Sequence, residues 1–296
     1  MSGPAPALFP GFASTRIATS GAEINLVQGG DGPPLLLLHG YPQTHAIWHR
    51  IAPRLAERFT VVATDLRGYG DSSKPRGLPD HSNYSKREMA RDQVEVMKAL
   101  GHERFALVGH DRGGRVAHRL ALDHPDRVSR LAVLDIVPTL TMYRRTTEAF
   151  ARAYYHWFFL IRPEPFPERL IGADPRFFLE HHMGSRHAGL SAFSEAAFGE
   201  YLRCFSDPAT IHASCEDYRA AASIDLEHDL ADLDRRVAAP LLALWGSRGI
   251  IERCFTPRQD WQDRAVEVTA RSLDCGHYLP EEAPDALLDE LVTFLS

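Results

Sequence analysis

The stretch Phe105-Ala106-Leu107-Val108-Gly109-His110-Asp111-Arg112-Gly113-Gly114-Arg115 constrains the fold of this chain more than any other. An apolar run suited to a buried strand ends in Gly-x-Asp-x-Gly-Gly and passes straight into helical periodicity. Small residues two before and two after Asp111 allow a tight strand-to-helix turn. Such a turn presents the Asp111 side chain above a sheet, while the next backbone N–H faces the same spot.

Matching β-rich runs recur along the chain: Glu23–Val27, Leu35–Leu38, Thr60–Thr64, Phe105–Val108, Leu131–Leu134, Leu241–Trp245 and Val266–Leu273. Between them lie stretches of helical period, among them Lys86–Leu100 and Arg115–Asp123. Apolar strands alternating with helices predict a mostly parallel sheet covered on both faces. Residues 140–227 break the pattern. They carry aromatics, a proline cluster (Pro163, Pro165, Pro167) and helix-like segments, and no clean β run. The 296 residues therefore read as one core in two parts, 1–139 and 228–296, interrupted by a helical cap at 140–227.

Composition excludes several functions. Lys+Arg number 33 against 39 Asp+Glu, a net charge of −6, whereas nucleic-acid binding needs an extended basic surface. A small anion stays admissible, because charge is screened over about 10 Å in ordinary salt. Apolar runs such as Leu35–Leu38 are far too short to span a membrane. The start, MSGPAPALFPGF, lacks the basic and apolar regions of a signal peptide, so a cytoplasmic location is expected. Cys204, Cys215, Cys254 and Cys275 show neither disulfide nor zinc spacing. The 15 histidines follow no metal-binding spacing. No cofactor or metal is expected.

The chemistry is carried by three carboxyl-end positions. No Gly-x-Ser-x-Gly occurs, which argues against a serine nucleophile. With Asp111 in the turn, a carboxylate would attack saturated carbon, form an ester and be released by water. His277, in Leu273-Asp274-Cys275-Gly276-His277, fits the base for that water. The acid that orients it is expected at Asp135, at the end of Leu131–Leu134, with Glu252 as a weaker choice. His39-Gly40-Tyr41-Pro42 follows another strand and can turn an N–H toward developing charge, with Tyr41 also a wall residue. Arg112 and Arg115 sit in or beside a helix's first turn, where cations oppose the dipole, so an anion beyond Asp111 is implied, and an arginine fork suits a carboxylate.

With these motifs the sequence resembles the fluoroacetate dehalogenases of the α/β-hydrolase superfamily. The matching segments are His39-Gly40-Tyr41-Pro42-Gln43-Thr44, Asp65-Leu66-Arg67-Gly68-Tyr69-Gly70-Asp71-Ser72, Gly109–Arg115 and Tyr155-His156-Trp157-Phe158-Phe159. The resemblance implies an α/β-hydrolase fold with an inserted helical cap. It implies Asp111 as nucleophile with Asp135 and His277, Arg112 and Arg115 as carboxylate clamp, and His156, Trp157 and Tyr218 as halide pocket. Related enzymes commonly have Trp after the nucleophile where this chain has Arg112, which favours a carboxylate-bearing substrate.

The expected reaction is hydrolysis of a short 2-haloacid to the 2-hydroxy acid and halide, with a small anionic substrate as the only ligand. The resemblance also implies a homodimer. The rival enzyme is an epoxide hydrolase using Asp111 and His277, with Tyr155 and Tyr218 as proton donors; Arg112 and Arg115 speak against it. A binding protein on the same fold is the rival from another class.

Overall fold

The computed structural model describes residues 7–296, so the first six positions of the 1–139 segment lie outside the described residues. Eight strands form one sheet: β1 (Ala13–Ala18), β2 (Glu23–Gly29), β3 (Pro34–Leu38), β4 (Thr60–Thr64), β5 (Phe105–His110), β6 (Val128–Leu134), β7 (Leu241–Gly246) and β8 (Val268–Leu273). Their order is β1-β2-β4-β3-β5-β6-β7-β8. β1 and β2 run antiparallel to their neighbours, and β3 to β8 are parallel.

Alternation along the central strands explains the two-sided cover. Leu36, Leu38, Leu107 and Val133 enter one apolar cluster, with Met89 and Val96 of helix Lys86–Ala99 and Val116 and Leu120 of helix Arg112–Asp123. Leu35, Leu37, Val108, Ala132 and Leu134 enter the other, with Leu287 and Leu291 of the C-terminal helix Pro284–Leu295. Successive residues point to opposite faces, and both faces are apolar.

β1 was not foreseen. It is an edge strand with half its residues exposed, so it lacks the apolar run that marks the buried strands. Between β6 and β7 the chain forms eight α-helices from Thr139 to Ala231. Two of them, His156–Phe159 and Pro208–Ala221, carry side chains that reach the carboxyl ends of the strands. Ligands bind at such ends in sheets of this kind.

Candidate active site

Asp111 joins β5 to helix Arg112–Asp123 with φ of 46°, a left-handed conformation that L-residues seldom adopt. Neighbouring glycines make this turn sterically feasible. A Cβ on Gly113 would lie 2.3 Å from the His39 carbonyl oxygen, and one on Gly40 would lie 2.5 Å from the Asp111 Cβ. The loop after β3 therefore presses against the turn. The Tyr41 N–H donates to Asp111 Oδ2 at 3.0 Å. The Arg112 N–H opens the following helix, where the first amides have no intrahelical acceptor.

His277 follows β8, and Asp135 follows β6. His277 Nδ1 and Asp135 Oδ2 are 2.6 Å apart. Asp135 Oδ1 accepts from the Gly246 N–H at 3.0 Å, which fixes the carboxylate. With the Nδ1 proton on the Asp135 side, Nε2 is left as the basic nitrogen. Glu252 accepts from the Trp245 indole instead and does not reach His277. His110 Nε2 meets the His277 carbonyl oxygen at 2.8 Å, and burial drives His110 down to about 3, so it stays neutral and donates. Burial pushes the Asp111 carboxyl up, but the charges of His277, Arg115 and Arg112 outweigh it and hold it below its ordinary value. Asp111 is thus an anion at neutral pH.

The two arginines are buried and differently tied. Arg112 donates from Nε to Asp217 Oδ2 at 2.9 Å and from Nη2 to Asp217 Oδ1 at 2.8 Å; its Nη1 has no partner among the described residues. Arg115 donates from Nη1 to the Val137 carbonyl at 3.2 Å and to Thr139 Oγ1 at 3.0 Å; its Nε is unpartnered. Arg112 therefore has a resident anion, Asp217, and one free edge.

His156, Trp157, Tyr218 and Tyr41 are all buried together. The Tyr41 ring lies 5.3 Å from Tyr218 and 6.0 Å from His156; the Trp157 ring is 6.2 Å from Tyr218. His156 Nδ1, Trp157 Nε1 and the Tyr218 hydroxyl each lack a partner among the described residues. Burial, with His182 and Arg186 nearby, pushes His156 far below its ordinary value, so the imidazole is neutral. Burial also raises Tyr218, with Asp111 adding to it, so its hydroxyl keeps its proton. Each ring thus brings one neutral donor. The rings also stack on the arginines: Arg112 Cζ is 4.1 Å from the Tyr218 centroid, and Arg115 Cζ is 4.6 Å from that of Trp157.

Several members of the site had no signal in the sequence. Asp217 also binds the Tyr69 hydroxyl at 2.7 Å and the Lys86 ammonium. Lys86 reads as the start of a surface helix, and Asp217 as an ordinary helical acid, until tertiary contact joins them. Tyr154, whose hydroxyl is 3.4 Å from His277 Nδ1, and Arg186, stacked on Tyr154, were not singled out either.

A family model for the alpha/beta hydrolase fold matches residues 33–284. A fluoroacetate dehalogenase from a Burkholderia species is 50% identical over 98% of this chain and 95% of its own length. A soluble epoxide hydrolase from a Corynebacterium species is 34% identical over 94% of this chain and 95% of its own. Among solved structures, a protein of Nostoc described as an alpha/beta hydrolase is 59% identical, with a TM-score of 0.93 over 96% of this chain and 98% of its own.

Proposed function

This chain belongs to the alpha/beta hydrolase family and groups within it with the fluoroacetate dehalogenases, and from that premise we propose a hydrolytic dehalogenase of short 2-haloacids. The observation that carries this reading is the stacking of each arginine on a halide-pocket ring: Arg112 on Tyr218 and Arg115 on Trp157. A 2-haloacid bears its carboxylate and its halogen on adjacent carbons. Cationic and neutral N–H or O–H donors side by side match that arrangement.

In this mechanism the unpartnered Arg112 Nη1 and Arg115 Nε take the substrate carboxylate. An Asp111 oxygen attacks the halogen-bearing carbon, an ester bond forms, and the halide leaves with the bonding pair. His156, Trp157 and Tyr218 donate to the halide as its charge appears, replacing the water that fluoride holds strongly. His277 then takes a proton from water, whose oxygen adds to the Asp111 carboxyl carbon. The N–H groups of Tyr41 and Arg112 support the resulting oxyanion. Collapse breaks the ester bond, the departing alkoxide takes the proton back from His277 to give the 2-hydroxy acid, and one water oxygen stays on Asp111. Asp135 holds the tautomer and balances the His277 cation.

Halide release from fluoroacetate and chloroacetate tests the assignment; folded protein that releases none from either overturns it. Diol formation from styrene oxide without halide release would select the epoxide reading. A single turnover in labelled water, with enzyme in excess, should place the label in Asp111. Label appearing directly in product would overturn the ester route.

We take the helices between β6 and β7, from Thr139 to Ala231, as the cap expected at 140–227, with the last helix, Ile224–Ala231, running past the expected end; they supply the leaving-group donors. A homodimer is supported by exposed Phe166, Leu170 and Phe177 on two adjacent cap helices, and light scattering of the purified protein tests it. A cytoplasmic location is supported by four free cysteines, which fit a reducing compartment, and cell fractionation tests it.

A further inference from the structure

The cavity that opens onto His277 has walls that a two-carbon haloacid does not use. It measures about 440 Å³. Arg152, Arg186, Arg248, Arg253, His181 and His187 line it, and no aspartate or glutamate does. Of these arginines, Arg186 and Arg253 have no acid partner among the described residues, so the cavity carries unbalanced positive charge in a chain of net charge −6. Arg152 and Arg248 are paired from outside, with Glu148 and Asp274, each at 2.7 Å and solvent-exposed.

Arg186 differs. Its Nη1 reaches only the Ala153 carbonyl at 3.5 Å, its Nε is buried without a partner, and no acid pairs with it among the described residues. The guanidinium lies 4.4 Å from the Tyr154 ring centroid, and the Tyr154 hydroxyl is 3.4 Å from His277 Nδ1. Arg186 therefore lies in the cavity wall beside Tyr154 and His277. A guanidinium presents a rigid fork of donors that matches a carboxylate, and a partly buried one is costly to leave without an anion. Arg112 and Arg115 already face the carboxylate next to the halogen.

We propose that the substrate is a 2-halo dicarboxylate: its first carboxylate on Arg112 and Arg115, its second on Arg186 in the arginine-lined cavity. This rests on the dehalogenase reading and names the substrate class. The bond changes are those already given, and the product is a 2-hydroxy dicarboxylate plus halide. Arg253, also in the cavity wall, adds a second positive charge that attracts a dianion more than a monoanion.

The test is steady-state halide release from 2-chlorosuccinate and from chloroacetate, in the unaltered enzyme, R186Q and R186K. The KM for chlorosuccinate is expected to be at least tenfold below that for chloroacetate. R186Q is expected to raise the chlorosuccinate KM about tenfold more than the chloroacetate KM, with R186K recovering part of the loss. Turnover of chloroacetate without chlorosuccinate, or an equal effect of R186Q on both, overturns the second-carboxylate site alone. No halide from either acid, by folded protein, fails the dehalogenase reading itself.

Discussion

Arg112 and Asp217 form a two-pronged ion pair in which both side chains are fully buried, with N···O distances of 2.9 Å and 2.8 Å. The pair leaves one edge of Arg112 unpartnered. Asp217 therefore sets the direction in which the guanidinium can receive an anion. Lys86 and Tyr69 hold Asp217 from the other sides.

Asp217→Asn keeps the shape and removes the charge. Breaking a buried pair of this kind costs about 3–5 kcal/mol. The melting temperature is expected to fall, and the KM for chloroacetate to rise about tenfold with a smaller change in kcat. An unchanged KM in folded protein would show that Arg112 does not depend on Asp217 for its aim.

His277→Gln removes the group proposed as base for the second step only. Halide is expected to appear as a burst close to one equivalent per enzyme, with steady turnover reduced by about 10²–10⁴. Intact mass should show the ester, and peptide mapping should place it on Asp111. Loss of the burst itself would mean that His277 also serves the first step.

Tyr218→Phe removes the hydroxyl proposed to donate to the halide and keeps the ring over Arg112. Fluoride loses most when a donor is missing, because it holds water most strongly. The kcat for fluoroacetate should fall at least tenfold further than the kcat for bromoacetate. Equal losses for both acids would remove Tyr218 from the halide pocket.

Glu281 gives the clearest pH effect on stability. Burial drives its carboxyl up to about 7, although the Tyr201 hydroxyl, donating at 2.5 Å, and Arg50 oppose this. The folded protein keeps the Glu281 proton where the unfolded chain has released it. Stability contributed by this group is complete below the unfolded value near 4.5, declines as pH rises through the interval, and is lost above about 7. Glu281→Gln should remove about 3 kcal/mol of that slope. Its melting temperature, followed from pH 5 to pH 8, should fall less than that of the unaltered protein. A parallel decline in both would exclude Glu281 as the source.

The strands β3 to β8 and the turn at Asp111 were legible because each is a local pattern. Thr60–Thr64 matches β4 residue for residue, and the glycines around Asp111 mark a turn that admits no Cβ at Gly113. Strand ends in a parallel sheet converge at one edge, so Asp111, Asp135 and His277 could be grouped without coordinates. The edge strand β1 escaped because exposure removes the apolar pattern that marks its neighbours.

Sequence alone determined the sheet apart from its edge strand β1, and the three residue types at its carboxyl edge, since both follow from periodicity and turn sterics. Tertiary structure decided what those residues face. Lys86 and Asp217 are 131 positions apart, yet share a buried contact that orients Arg112. Arg186 reaches the His277 side of the cavity from a cap segment with no motif of its own. Such pairings depend on how helices pack over the sheet, and packing joins side chains by distance in space, which the order of residues does not record.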